Sequence, residues 1–371
     1  MPSFSASGDS CTSMEVLSGL LLSSESADPS GSPLRSGWTR NWALFSRKSF
    51  DGLVSLASAN HVVVRGLEAL RCHALEARDG ERAAWAADAL ANERARIAHA
   101  IPYLRDICHA FVRAGHPIIV IKSLDHWPDL GSDLDLYTNA PPPEVLRLMQ
   151  TQFEARTEAR SWGDRLAGKW NFLIPGLPES VEIHVGRLGQ TGEQVRFAAA
   201  LPGRARSMAI GQNTFLVPAN SDRLMISTLQ RMYRHFYFRL CDIVDSASLI
   251  DSGMLDFGEL CREARAAGIW EGVATYLQIV SDYVGRFRGR GLALPGFVTA
   301  SARFGGEQVY YARQFLRIPI LPQSAGLYGS QLGGLLRKRE IRSSARLGLL
   351  LWLATAAAVG QRITGSDKGI W

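Results

Sequence analysis

The chain has 371 residues, of which 46% are hydrophobic and 20% charged, and its 41 basic and 35 acidic side chains give a formal net charge of +6. These proportions are ordinary for a soluble globular protein and exclude a collagen-like, coiled-coil or wholly disordered chain. No run of about 18 apolar residues occurs, so an ordinary membrane-spanning helix is not expected. Five scattered cysteines without a C-x-x-C pair argue against a zinc ribbon or a disulfide framework and favour a reducing, cytoplasmic location.

The positive charge is concentrated towards the C-terminus. Residues 286–346 contain eleven Arg and Lys against two Glu, a local charge of +9, and residues 347–371 add +1. The first 285 residues therefore sum to −4, which leaves no broad basic surface for a polynucleotide in that part of the chain. A polynucleotide substrate is not expected, and an anionic partner would contact the C-terminal region.

The N-terminal part divides into a polar leader and a helical region. Residues 1–40 contain twelve serines and are predicted to be a disordered leader, with one short helix at Met14–Leu22. Residues 41–115 are predicted to be helical, because apolar residues recur at helical spacing and form one stripe over Ile97–Phe111. Gly115 is expected to end the last of these helices.

Residues 116–218 combine strand and helix patterns and form the predicted core. The period changes from helical to alternating at His116. The predicted strands are Pro117–Ile121, Ser132–Thr138, Trp170–Ile174, Val181–Val185 and Thr214–Val217, with a helix at Glu144–Arg156. Residues 219–300 are predicted to be helical, and residues 301–371 a basic tail with a short apolar helix. The expected fold class is therefore α+β, with a small mixed β-sheet core between N-terminal and C-terminal helical regions.

The clearest chemistry lies on two predicted strands that carry acidic residues. Asp133 and Asp135 are two residues apart, so both carboxylates point to the same face of a strand. Their mutual repulsion is relieved by a divalent cation, Mg²⁺ or Mn²⁺. On a later alternating strand, Glu182 would add a third carboxylate, as a metal ligand or a base, and His184 would lie at the edge of the site. Such a set suits in-line attack on a nucleotide phosphate.

This arrangement resembles the polymerase β-like nucleotidyltransferase superfamily. Its motif is a loop with Gly-Gly or Gly-Ser, about ten residues, an Asp-x-Asp pair and a third acidic residue on a later strand; here Ser123 lies ten residues before Asp133, and Glu182 takes the third place. More narrowly, residues 40–285 are similar to an uncharacterised bacterial nucleotidyltransferase family. The segments that carry this likeness are Asn92-Glu-Arg, Leu104, Ala114-Gly-His, Val120-Ile-Lys, Glu182-Ile-His, Pro218–Asp222 and His235…Arg239…Asp242.

The resemblance implies a nucleotidyltransferase core that moves a nucleoside monophosphate from an NTP, ATP being one candidate, to an acceptor hydroxyl and releases pyrophosphate. It implies that Asp133, Asp135 and Glu182 are catalytic and hold the Mg²⁺ or Mn²⁺. The implied nucleotide-binding residues are Lys122, Ser123 and Ser132, and the implied substrate contacts are His184, His235 and Arg239. The expected acceptor is a small molecule or a protein side chain.

Each of these readings has a purely structural alternative. An Asp-x-Asp pair is often a solvated strand face, Lys122 could simply end its strand at the surface, and His184 could be a structural histidine. The residues His235, Arg239, Asp242 and Asp245 follow helical spacing and could form a salt-bridged helix face. Ser123 stands where the family has glycine, which motivates a second hypothesis: a catalytically silent protein that binds a nucleotide or a partner.

The tail raises a third hypothesis, membrane association. Leu347–Gly360 is fourteen residues long and uncharged, and a basic segment precedes it. As a helix it would span about 21 Å, too short for a bilayer, but it could lie at a membrane surface with its basic flank on anionic lipid. Residues 337–360 are therefore a candidate for peripheral membrane contact; the alternative is a core or oligomer-contact helix.

Overall fold

The computed structural model describes residues 8–23, 46–312 and 314–349. Four helices precede the first strand: α1 (Gly8–Leu22), α2 (Arg47–Ala59), α3 (Val63–Glu76) and α4 (Gly80–Arg113). The side chain of Asp79 caps α4 by accepting a hydrogen bond from the Arg82 N–H at 3.1 Å. The helix ends before Gly115, whose positive φ of 80° suits glycine at this position.

Helix α1 is part of the hydrophobic core. Met14, Val16, Leu17 and Leu22 are buried, and the Ser18 hydroxyl forms a 2.8 Å hydrogen bond with the hydroxyl of Tyr283. The helix predicted at Met14–Leu22 is thus present and begins earlier, at Gly8. This stretch of the predicted disordered leader is folded, because its apolar residues find a surface on later helices. Residues 24–45 lie outside the described part.

A five-stranded mixed sheet forms the centre of the fold. Its strands are β1 (Ile118–Val120), β2 (Asp133–Thr138), β3 (Arg156–Thr157), β4 (Lys169–Leu173) and β5 (Ser180–Val185), in the order β1-β2-β5-β4-β3. β2 and β5 are parallel, and the other neighbouring pairs are antiparallel. The crossover from β2 to β5 contains α5 (Pro142–Phe153) and α6 (Trp162–Ala167). Leu134 and Leu136 are fully buried, which fixes the face that β2 turns to the core.

A hairpin and further helices follow the sheet. They are α7 (Val195–Arg204), β6 (Arg206–Ile210), β7 (Asn213–Val217), α8 (Asn220–Gln230), α9 (Leu240–Asp251), α10 (Phe257–Ala267), α11 (Trp270–Arg288), α12 (Gly296–Thr299) and α13 (Ala325–Arg337), and residues 341–349 are also helical. Strands β8 (Tyr237–Phe238), β9 (Tyr310–Ala312) and β10 (Phe315–Arg317) form a separate small sheet. The structure is thus mixed α+β, as the sequence predicts. The sequence analysis did not anticipate helices α6, α7 and α13 or strands β3, β6, β8, β9 and β10, and β8 lies within the region predicted to be helical.

The helical spacing of His235, Arg239 and Asp242 is misleading. Helix α8 continues into a π-helical turn, Arg231–His235, which ends where Phe236 adopts a positive φ of 55°. Strand β8 follows, and a new helix starts at Leu240. These side chains therefore belong to three different local structures rather than to one helix face.

Among the described residues, no helix has both the length and the apolar character needed to cross a membrane. Most of the predicted apolar helix Leu347–Gly360 lies outside the described residues.

Candidate functional site

The three predicted carboxylates lie together on β2 and β5. Asp135 pairs with Glu182 in the parallel register of these strands, and Asp133 lies two residues earlier on the same face of β2. Asp133 is exposed, whereas Glu182 is buried. The structure thus brings together the acidic residues that the sequence analysis selected, at the edge of a cleft.

Lys122 lies between two of these carboxylates. Its ammonium group contacts Asp135 and is 3.2 Å from Glu182 Oε1. The backbone of Lys122 has a φ of 61°, which is uncommon for a residue other than glycine. Burial opposes the charge on this lysine, but the two carboxylates outweigh that effect and raise its pKa. Lys122 is therefore an internal counter-ion.

Glu182 is the most heavily contacted of the three carboxylates. Besides Lys122, it contacts Lys169 Nζ at 2.6 Å and His184 Nε2 at 2.7 Å. Burial works against its charge, but Lys122, His184 and Lys169 together hold the pKa of Glu182 well below its usual value. Burial raises the pKa of Asp135 to about 7, with the charge of Glu182 adding to the effect and Lys122 opposing it. The two facing carboxylates thus differ in how readily they ionise.

The carboxylates line a cavity of about 190 Å³. On the sheet side the lining includes Lys122, Ser123, Asp133, Asp135, Lys169 and Glu182. A second group of lining residues comes from the π-helical turn and the strand after it: Arg231, Arg234, His235, Tyr237 and Arg239. The cavity therefore places five basic side chains beside three acidic ones, a combination that favours an anionic ligand accompanied by a cation.

Two of these arginines, Arg234 and Arg239, have hydrogen-bond donors without a partner among the described residues. Among the described residues, the Arg234 side chain has no hydrogen-bond or ion-pair partner. The Nε atom of Arg239 is buried without a partner, while its Nη1 donates to His61 Nδ1 at 3.3 Å. Nearby, burial and the charges of Arg234 and Arg231 lower the pKa of His235 well below its ordinary value, so its ring is neutral. Donors of this kind bind phosphate and carboxylate oxygens.

Ser123 and Ser132, the two serines predicted to bind the nucleotide, have different surroundings in the structure. The Ser123 hydroxyl donates to Asp133 O at 3.0 Å and accepts from the Asp135 N–H at 2.8 Å. Its own N–H donates to Ile121 O at 2.6 Å. Ser123 therefore ties the loop after β1 to the start of β2, and its donors are engaged within the chain. Ser132 is exposed and does not line the cavity.

The structure also separates the predicted substrate contacts. His235 and Arg239 line the main cavity. His184 is buried behind Glu182 and lines a smaller adjoining cavity of about 30 Å³, rather than the edge of the site. Its Nδ1 atom has no hydrogen-bond partner among the described residues. The Glu182 contact and the burial support the structural alternative for this histidine.

Asp242 and Asp245 form buried ion pairs. Asp242 Oδ2 is 2.7 Å from Arg231 Nε, and Asp245 contacts Arg65 and His126. Both carboxylates are engaged by these partners, and neither is among the residues that line the cavity. Their partners Arg231 and His126 do line it.

Sequence reasoning missed several residues of this cleft. Lys169, Arg231, Arg234 and His61 line the cavity but were not among the candidate site residues. Lys169 opposes His184 in the register of β4 and β5, a relationship that only the strand pairing reveals. No sequence pattern pointed to Arg231 and Arg234, because it is the π-helical turn that directs them towards the cleft.

The carboxylates fit a hard divalent cation. Asp133, Asp135 and Glu182 offer the oxygen donors that Mg²⁺ and Mn²⁺ prefer, and donor atoms of Asp135, Glu182 and His184 lie within 4.8 Å of one another. A cation bound by both Asp135 and Glu182 requires the ammonium group of Lys122 to move. No protein-family model matches the chain, and no curated protein matches it either. Its chemistry is therefore inferred from the cleft itself.

Proposed function

We propose that this chain has a nucleotidyltransferase core of the polymerase β-like kind and transfers a nucleoside monophosphate from an NTP to an acceptor hydroxyl. The observation that carries the proposal is the pairing of Asp135 with Glu182 on adjacent parallel strands, with Asp133 beside them, in a cleft rich in arginine and lysine. Carboxylates alone would repel a triphosphate, and basic residues alone would not hold a divalent cation. The cleft supplies both.

The reaction exchanges one phosphate ester bond for another. The acceptor oxygen forms a bond to the α-phosphorus, and the bond from that phosphorus to the oxygen bridging to the β-phosphate breaks. The leaving pyrophosphate keeps the electron pair, and the hydroxyl proton passes to a carboxylate or to solvent. Stabilisation of the developing charge on the leaving group is the main demand on the protein.

The residues of the cleft have separate roles in this proposal. Asp133 and Asp135, with Glu182, would hold Mg²⁺ or Mn²⁺, which supplies charge neutralisation when bound. Arg234 and Arg239 donate to phosphate oxygens. Glu182 already contacts Lys122, Lys169 and His184, so it suits the role of metal ligand and charge partner better than that of a base.

Lys122 contacts two of the carboxylates that would hold the cation. A cation bound by Asp135 and Glu182 would displace its ammonium group, which would then be free to contact a phosphate. In this proposal Lys122 would be an internal counter-ion without the cation and an anion ligand with it. This exchange avoids leaving the two carboxylates unneutralised in either state.

The experiment is to measure pyrophosphate release and NTP binding by calorimetry with each of the four NTPs, with and without Mg²⁺ or Mn²⁺. The test variant is Asp133→Asn with Asp135→Asn, and the matched control is Asp88→Asn, an exposed residue of α4. Metal-dependent binding that only the double variant loses supports the site, and pyrophosphate release supports transfer. Absence of NTP binding by folded wild-type protein rejects the proposal.

A second candidate is a catalytically silent nucleotide-binding protein. It is favoured by Ser123, whose hydroxyl and N–H are both engaged within the chain, whereas the glycine of the family allows close approach of a triphosphate. This candidate predicts metal-dependent NTP binding without pyrophosphate release. A Ser123→Gly variant that gains turnover would show that the serine is what silences the site.

For the tail we propose peripheral contact of a cytoplasmic protein with anionic membranes through residues 337–360. The supporting observation is that Leu336 and Ile341 are 58% and 75% exposed and flank the basic run Arg337–Arg339. Deletion of residues 337–371 is expected to abolish sedimentation with anionic liposomes. Unchanged liposome binding after the deletion rejects this proposal.

A further inference from the structure

A second group of metal-ligand side chains lies beside the carboxylates. Ligand atoms of His61, His126 and Cys241 all lie within 4.8 Å of one another. They come from three separate places: the turn after α2, the loop between β1 and β2, and the first turn of α9. His61 and His126 line the main cavity, and Cys241 is fully buried.

His126 is oriented as metal-binding histidines usually are. Its Nδ1 hydrogen-bonds to the carboxylate of Asp245, which Arg65 Nη1 holds at 2.5 Å. This arrangement directs Nε2 towards Cys241, whose Sγ is 3.7 Å away. Zinc–nitrogen and zinc–sulfur bonds of about 2.0 and 2.3 Å at a tetrahedral angle put the two ligand atoms roughly 3.5 Å apart. A carboxylate on the far ring nitrogen is the common outer partner of such a histidine.

The His61 ring completes the group. It meets the His126 ring edge-on, with 5.7 Å between the centroids. Its Nδ1 accepts a hydrogen bond from Arg239 Nη1 at 3.3 Å, and a cation bound at this nitrogen would take the place of that donor.

Hydrogen bonds independent of the ligand atoms hold the cluster together. The Asn60 side chain accepts from the Leu240 N–H at 2.9 Å, and the Asn60 carbonyl accepts from the Cys241 N–H at 3.2 Å. Asn60, the residue before His61, is thus hydrogen-bonded to the start of α9. The fold itself sets the spacing between His61 and Cys241, as expected for a preformed site.

We propose that His61, His126 and Cys241 bind a borderline-soft divalent cation such as Zn²⁺, with the remaining coordination position facing the cleft. Nitrogen and thiolate ligands distinguish this site from the oxygen ligands of the carboxylate site. A nucleophilic role for Cys241 is disfavoured, because the thiol is inaccessible to a substrate electrophile.

The test uses Co²⁺ as a spectroscopic probe on the full-length, metal-free protein. One equivalent of Co²⁺ is expected to give a thiolate-to-cobalt charge-transfer band and the intense visible bands of tetrahedral cobalt, and Zn²⁺ should displace it. Cys241→Ser is expected to abolish the charge-transfer band. The matched control, Cys108→Ser, alters another buried cysteine and should retain it.

Two further variants keep the test decisive. His61→Asn changes a partly exposed side chain, is expected to preserve the fold, and should weaken Co²⁺ binding at least tenfold. The double variant Asp133→Asn, Asp135→Asn should keep the band, which separates this site from failure of the proposed transferase. Absence of the band in wild-type protein, its persistence in Cys241→Ser, or unchanged affinity in His61→Asn overturns the proposal.

Discussion

Asp135 on β2 lies directly opposite Glu182 on β5, and the Lys122 ammonium group contacts both carboxylates. One lysine therefore neutralises two acidic groups that face each other from parallel strands. Any cation that binds both carboxylates competes with this lysine. The position of Lys122 and the occupancy of the carboxylates are therefore coupled.

Replacement Lys122→Met is expected to destabilise the metal-free protein by about 3 kcal/mol, because removing one partner of a buried ion pair leaves the other charges uncompensated. Millimolar Mg²⁺ or Mn²⁺ should recover part of this loss by binding the freed carboxylates. Denaturant unfolding in EDTA and in Mg²⁺ measures both effects. Lys48→Met, at an exposed position in α2, is the control. An equal loss of stability in both buffers would contradict the coupling.

The replacement Arg234→Gln is expected to weaken binding of an NTP or of pyrophosphate by about ten- to a hundredfold. This is the usual contribution to affinity of a hydrogen bond that involves a charged group. Stability should change little, because this side chain has no ion-pair partner among the described residues. Calorimetry gives the dissociation constant. Arg303→Gln, whose guanidinium pairs with Glu271, is the matched control and should bind normally. Unaltered affinity in Arg234→Gln would remove this arginine from the site.

His184 is expected to make stability fall in mild acid. Burial chiefly, with Lys122 and Lys169 adding, lowers the pKa of His184 to about 4 from 6.5, against the opposing effect of Glu182. Between pH 6.5 and about 4, His184 therefore binds a proton in the unfolded chain but not in the folded chain. The stability that the neutral His184 ring contributes is fully present above pH 6.5. It is lost as the pH falls towards 4, at no more than about 1.4 kcal/mol per pH unit.

The measurement for His184 is the free energy of unfolding at several pH values between 4.5 and 7 in EDTA. His184→Gln should show a shallower dependence on pH than the wild type over this window. His109→Gln, at an exposed position of α4, should follow the wild type. A wild-type slope that His184→Gln leaves unchanged would show that other groups cause the acid sensitivity.

Replacement Gly168→Ala is expected to destabilise the fold more than Gly186→Ala. Both glycines have a positive φ, 68° and 65°, so alanine is strained at either position. At Gly168, however, the new Cβ would lie 2.8 Å from the carbonyl oxygen of Val185, whereas nothing lies within 4 Å at Gly186. We expect a cost of about 1 kcal/mol at Gly186 and a larger one at Gly168. Thermal unfolding of the two variants provides the comparison, and equal losses would refute the steric argument.

The sequence predicted the central elements well where the pattern was local. Alternation predicted the strands observed as β2 and β5, because an aliphatic residue at every second position leaves the carboxylates at the positions between. It did not predict α6 or α7, which are short. The helical spacing of His235 and Arg239 wrongly suggested one helix face, for a different reason. The helix breaks at Phe236 because of its backbone conformation, which the spacing of residues does not reveal.

By itself, the sequence determined the mixed α+β class and the placing of Asp133, Asp135 and Glu182 on strands, since side-chain alternation is a property of each strand alone. Only the tertiary structure decided that Lys122 contacts two of these carboxylates, that Arg234 lines the cleft, and that His61 and Cys241 approach His126. The residues so joined are far apart in the sequence, as His61 and Cys241 are. They depend on strand register and on helix packing, which the whole chain establishes together when it buries its core.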